Sequence, residues 1–284
     1  MNSPALRSDP LELLTGAAAL PLAAQAPASG SFTLGQGTSY PFPNELVPAP
    51  GGGEGSGRIA WALNEAGKRN VWGADAPDYQ PRQVTHYSQD DGQELTSLAL
   101  SAGGKYVVYV RGGDHGGNWN GASPNPLSMP EAPKIQLWSV LAAGGTPTLL
   151  GEGDDPVVSP TGGTVAFTRD GEPWIVPIDG SSPAKRFFFS RVQIGDLQWS
   201  PDGRRVAFVA NRGDHAFVGI YAGDSVGIRW IAPSTARDGT PRWSPDGTRL
   251  VFVRRPGAGG PPVPALGDRP SPWALWIGDA RTGE

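Results

Sequence analysis

Three features of this sequence predict an all-β chain folded as a β-propeller of four-stranded antiparallel blades. The first is a repeated phrase: Ser-Pro-Asp-Gly, a basic residue within two positions, then a short apolar strand. It reads Ser200-Pro201-Asp202-Gly203-Arg204-Arg205-Val206-Ala207-Phe208-Val209 and again Ser244-Pro245-Asp246-Gly247-Thr248-Arg249-Leu250-Val251-Phe252-Val253. Weaker copies begin at Ser159-Pro160-Thr161-Gly162 and Ser101-Ala102-Gly103-Gly104, each leading into an apolar run. The second feature is spacing. The four anchors lie 58, 41 and 44 residues apart, and a unit of roughly 40–45 residues is one four-stranded blade. The third is punctuation. The chain has 41 Gly and 30 Pro, which alternate with the apolar runs and therefore read as turns rather than disorder.

The elements follow in order. Residues 40–57 supply an edge strand or a linker. In the first unit, 58–62 (Arg-Ile-Ala-Trp-Ala) is the buried strand, 69–73 the next and 82–85 the outer one. Each later unit opens with a short strand, as in Leu197-Gln198-Trp199 or Pro241-Arg242-Trp243. A tight Asp-Gly turn follows, with glycine free to take positive φ. The second strand is nearly all apolar, as expected for a strand covered on both faces. A third strand carries Trp at 138, 174 and 276, and a fourth leads out at 147–150 or 228–231. The long first spacing contains an insertion, 112–134, rich in Gly, Asn and Pro. About five blades result, centred near 59, 106, 165, 206 and 250. The last is incomplete, because the chain stops after the third strand and turn of that unit, so a fragment of a longer chain is expected.

The propeller is assigned to 38–284 and a leader to 1–37. Residues 13–26 form an apolar, Ala-rich run ending Ala24-Gln25-Ala26, like a signal-peptide core, yet Asp9 and Glu12 stand where a basic segment is expected. A disordered leader and a signal segment both stay open, as does the compartment. With 23 basic and 27 acidic side chains and a net charge of -4, the chain is not a dedicated nucleic-acid binder. It has no apolar run long enough for a membrane-spanning helix. The absence of cysteine excludes disulfides, thiolate metal sites and a cysteine nucleophile.

The Ser-Pro-Asp-Gly units resemble the propeller repeats of TolB and of the prolyl oligopeptidase family of serine peptidases. The closer likeness is to bacterial members of the dipeptidyl-peptidase and acylaminoacyl-peptidase type. It rests on Gly67-Lys68-Arg69-Asn70-Val71-Trp72, Asp90-Asp91-Gly92-Gln93-Glu94-Leu95, Arg111-Gly112-Gly113-Asp114-His115 and Asn211-Arg212-Gly213-Asp214-His215. The resemblance implies a propeller that caps a C-terminal α/β-hydrolase domain and gates peptide substrates. The sequence departs from that family at the chemistry. It has no Gly-x-Ser-x-Gly elbow in a strand–turn–helix context, and its three histidines, His86, His115 and His215, stand in no triad pattern. No catalytic residue, metal ligand or cofactor is assigned. A TolB-like scaffold that binds protein partners is the second reading.

The candidate contacts to substrate or to a hydrolase domain are Asp114, His115, Asn118, Trp119, Asp214 and His215. The two Gly-Asp-His stretches lie 100 residues apart, each just after an arginine, and would sit on loops at the same face of two blades. Their plain structural reading is turn hydrogen bonding by Asp and edge packing by His. Asn118-Trp119-Asn120 places an aromatic beside amides in a long loop, suited to a peptide or to covering a blade edge. The pairs Asp90-Asp91 and Asp154-Asp155 read as turn residues at blade junctions.

Overall fold

A computed structural model describes residues 41–51, 57–113, 125, 128–257 and 272–284. The leader and the centre of the 112–134 insertion lie outside them. Nineteen strands form among the described residues. Blade 1 is β1 (Phe42–Pro48), β2 (Ile59–Glu65), β3 (Lys68–Ala74) and β4 (Arg82–Gln83). Blade 2 is β5 (Leu95–Leu100), β6 (Tyr106–Arg111), β7 (Gln136–Leu141) and β8 (Thr148–Glu152). Blade 3 is β9 (Asp154–Val158), β10 (Thr164–Arg169), β11 (Glu172–Pro177) and β12 (Lys185–Arg186). Blade 4 is β13 (Gln193–Trp199), β14 (Val206–Asn211), β15 (Ala216–Tyr221) and β16 (Ile228–Ile231). β17 (Arg237–Trp243), β18 (Arg249–Arg255) and β19 (Ala274–Asp279) form a three-stranded fifth blade. Strands pair antiparallel in chain order within each blade, and one parallel bridge, Ala216 to Arg237, joins β15 to β17. The first strands of consecutive blades touch in turn, which puts them nearest the common axis.

The repeated phrase makes one turn four times. The Ser101, Ser159, Ser200 and Ser244 carbonyls accept from the N–H of Gly104, Gly162, Gly203 and Gly247 at 2.7–2.8 Å. These glycines take φ of +64° to +76°, which a Cβ would penalise. In the two full copies the serine Oγ also accepts from the N–H of Arg205 at 2.9 Å and Arg249 at 3.0 Å, and donates to Asp202 and Asp246 at 2.5 Å. Asp then accepts from the N–H of Arg204 or Thr248. This explains why Ser and Asp recur together.

The first strands are longer than the three residues expected, because each carries a β-bulge. Glu45, Ser97, Asp155, Asp196 and Thr240 sit there with φ of +50° to +59°. Asp155 is thus a strand bulge residue, not part of a junction turn. Bulges bend and twist a strand, and here they meet across blades. The Glu45 carboxylate accepts from Leu98 N–H at 3.3 Å, and that of Asp196 from Thr240 N–H at 3.0 Å.

The core lies between blades and has a direction. The second strands of blades 2 to 5 turn large side chains back toward the preceding blade: Val107 and Tyr109, Val165 and Phe167, Val206 and Phe208, Leu250 and Phe252. Alternate residues of the second strands face the following blade and are smaller: Ala60 and Ala62, Val108 and Val110, Ala166, Ala207. Opposite the aromatic, the third strand places Trp72, Trp138, Trp174 or Trp276. Blade 4 has Gly219 opposite Phe208, and Trp230 of β16 fills the space, 5.9 Å from the Phe208 ring.

Candidate functional site

The two ends of the blades differ. One end carries the Ser-x-x-Gly turns between first and second strands, fixed by the repeat. The other carries the hairpins between second and third strands, and these vary. The hairpin is two residues long at Ala66-Gly67 and at Asp170-Gly171, four residues at 212–215, and long at 112–135 and 256–273. Variable loops on a constant scaffold are where binding residues accumulate.

Three of the stretches that carry the family resemblance converge at this end, where blades 1 and 2 meet. Arg69 lies 3.6 Å from Asp90, and a Cβ on Gly67 would overlap the Asp90 carboxylate at 2.1 Å. Asp91 pairs with Arg111, whose guanidinium lies 4.4 Å over the Tyr87 ring. The Tyr87 hydroxyl is 2.8 Å from that of Tyr109, and burial pushes both phenols up. Beneath them Asn70 is buried and hydrogen-bonded through both ends of its amide. Its amide donates to Tyr87 O at 2.9 Å and accepts from Tyr87 N–H at 2.7 Å and Thr85 Oγ1 at 3.0 Å.

Two clefts open here. One of about 400 Å³ runs beside the inner strands and is lined by Asn44, Glu45, Asn64, Arg69, Glu94 and Thr96. The other, about 420 Å³, is lined by Asp91, Gln93, Arg111, Met129, Glu131 and Lys134. Both set acids, bases and amides beside apolar lining residues, the mix of polar anchors and apolar surface found in ligand clefts. Reading residues one by one misses these clefts. Their members lie as far apart in sequence as Asn44 and Thr96, and the visible signal was the clustering of Arg69, Asp90, Asp91 and Arg111 in the resembling stretches.

Asp214 and His215 stand on the equivalent hairpin of blade 4, away from the clefts. His215 Nδ1 lies 2.6 Å from Asp214 Oδ1, and its ring is 4.9 Å from Phe217. The His215 contact is the main reason the Asp214 carboxyl sits below the usual range. Arg237 binds the Gly213 carbonyl and reaches that of Asp214 at 3.5 Å. Asp114, His115, Asn118 and Trp119 lie outside the described residues. The hairpin that bears them joins β6 to β7, as the Asp214-His215 hairpin joins β14 to β15. Among the described residues no three His, Asp or Glu side chains gather as metal ligands would, and no helix is long and apolar enough to cross a membrane.

Solved structures match this fold. A TolB protein from Agrobacterium tumefaciens superposes with a TM-score of 0.51 at 20% identity, over 86% of this chain and 79% of its own. The fold is a β-propeller. A prolyl endopeptidase matches with a TM-score of 0.56 at 11% identity, over 85% of this chain and 37% of its own. A puromycin-hydrolysing peptidase from Mycobacterium tuberculosis matches with a TM-score of 0.55 at 16% identity, over 84% of this chain and 35% of its own. This chain thus spans about a third of the length of either peptidase. At these identities the likeness shows the fold, which hosts many activities. No family model matches the chain, and no curated protein matches it by sequence.

Proposed function

We propose that this chain is the non-catalytic propeller portion of a serine-peptidase-like protein. It would cap a C-terminal α/β-hydrolase domain and gate peptide substrates at the hairpin end of the blades. The observation that carries this reading is the convergence of residues 67–72, 90–95 and 111–113 on one cleft-bearing platform. The candidate contacts Asp114, His115, Asn118 and Trp119 follow Gly113 in sequence, in the connection between β6 and β7, and Asp214 and His215 stand on the corresponding connection of blade 4. The match to about a third of each peptidase supports it, since a further domain has room in a longer chain. The second reading, a TolB-like scaffold acting through protein contacts, is favoured by one fact: the match covers most of both chains for the Agrobacterium protein.

One measurement separates them. The natural product is isolated with antibodies to the propeller, weighed intact and treated with a fluorophosphonate, which labels activated serines. A product longer than 284 residues that labels is expected. A native product of 284 residues that stays unlabelled overturns the peptidase reading and leaves the scaffold.

A further inference from the structure

The uncovered face of the fifth blade repeats, residue by residue, a face that is buried in the fourth. In blade 4 the side facing the next blade includes Ala207 with its cross-strand partner Ile220, and Val209 with Val218. Blade 5 covers them, so Val218 is 0% and Ile220 3% exposed. The same positions in blade 5 are Val251 paired with Ile277 and Val253 paired with Leu275. Here Leu275 is 64% and Ile277 65% exposed.

A polar device accompanies the apolar face. Arg205, just before the second strand of blade 4, donates from Nη2 to the carbonyl of Gly247 at 2.8 Å and lies 4.8 Å over the Trp243 ring. Gly247 belongs to the Ser-x-x-Gly turn of the next blade. Arg58, at the same place in blade 1, donates to the carbonyl of Gly104 at 2.7 Å, the matching glycine of blade 2. Blades 2 and 3 have Tyr106 and Thr164 at this position and lack the clasp. Blade 5 has Arg249. It is exposed, and among the described residues its guanidinium meets no acceptor.

We infer that Arg249, Val251, Val253, Leu275 and Ile277 form a docking face for one further blade of the same repeat. That blade offers a Ser-x-x-Gly turn carbonyl to Arg249 and a large aromatic to the small residues of β18. The turn chemistry argues against blade 1 of a second copy as the occupant. Blade 1 has Trp61 at the aromatic position, but it has no Ser-x-x-Gly turn between β1 and β2. The inference rests on the repeat and stands whether or not the peptidase reading holds.

The chain has no cysteine, which permits a clean test. Residues 228–284 are duplicated after Glu284, adding a fourth strand and a following blade with its own turn. Ile277→Cys is placed in the original copy only, and its alkylation by a maleimide is timed, with Val226→Cys as an exposed control. Labelling of Cys at 277 is expected to slow about tenfold in the extended chain relative to the unextended one, while the control is unchanged. Adding Arg249→Ala in the original copy should recover about fivefold of that rate, the scale of one hydrogen bond, and leave the unextended chain unaltered. Equal labelling in both chains overturns the inference. So does slow labelling of the unextended chain that tracks a concentration-dependent doubling of its mass, because a second copy would then be the occupant. Slow labelling that ignores Arg249→Ala overturns the clasp.

Discussion

Consider Gly219. A Cβ there would come within 2.6 Å of Phe208 Cζ and 3.0 Å of Trp230 Cζ3. Blade 4 takes its second aromatic from the fourth strand, so the third must stay bare. Gly219→Ala should cost about 1–3 kcal/mol by overpacking, seen as a lower urea midpoint with an unchanged slope. Asn70 is the polar counterpart. Asn70→Leu leaves the buried Thr85 hydroxyl and the Tyr87 amide without their acceptor, and should lower stability by about 2 kcal/mol. The turn aspartates set an acid limit. Ser244 Oγ, then the Thr248 N–H and hydroxyl, push the Asp246 carboxyl down to about 2 from its ordinary 3.8. Because the folded value is depressed, this contribution is complete above 3.8 and fades as pH falls toward 2. Asp246→Asn should therefore destabilise the protein at neutral pH, with the gap to wild type closing below about pH 3 in urea titrations at stepped pH.

Between strands, the strongest polar join is Asp238 with Arg254. The guanidinium donates to both carboxylate oxygens at 2.7 and 2.8 Å, donates to Ala232 O at 2.6 Å, and lies 4.1 Å over the Trp276 ring. Asp238 is buried. Asp238→Ala strands that cation between blades 4 and 5 and should cost about 3–5 kcal/mol. Losing the Arg205 clasp by Arg205→Ala should cost only about 1 kcal/mol, since its side chain keeps partial access to water. Calorimetric midpoints of the two variants test this ranking. These joins also show how far the sequence can be read. The turn, the apolar second strand and the Trp-bearing third strand were legible because local pattern and blade period coincide. The bulges were not, because Ser97, Asp155, Asp196 and Thr240, though each four residues before its anchor serine, share no residue type that marks positive φ, and so Asp155 looked like a turn residue. The clasps were not, because Arg58 and Arg205 find their acceptors 46 and 42 residues away. In the candidate site the charged residues were visible as stretches, but their convergence depends on how blade 1 meets blade 2.

Across the whole molecule, stability is shared between neighbours, as in any stack of repeats. Asn70→Leu should speed amide exchange in blades 1 and 2 and leave β18 of blade 5 unchanged, which exchange read by mass spectrometry resolves. Uniform acceleration would mean one cooperative unit instead. The direction of the core also bears on inheritance. The second strands of blades 2 to 5 turn their broad side backward and their slim side forward, so a copied blade arrives with the apolar side of its second strand already matched at both new joints. Tandem duplication of one gene segment can therefore lengthen such a stack with this apolar match already in place. An unrelated sheet inserted at the same place would need both joints redesigned. Seen this way, the number of blades can change by copying, while polar additions such as the Arg58 and Arg205 clasps distinguish one joint from another.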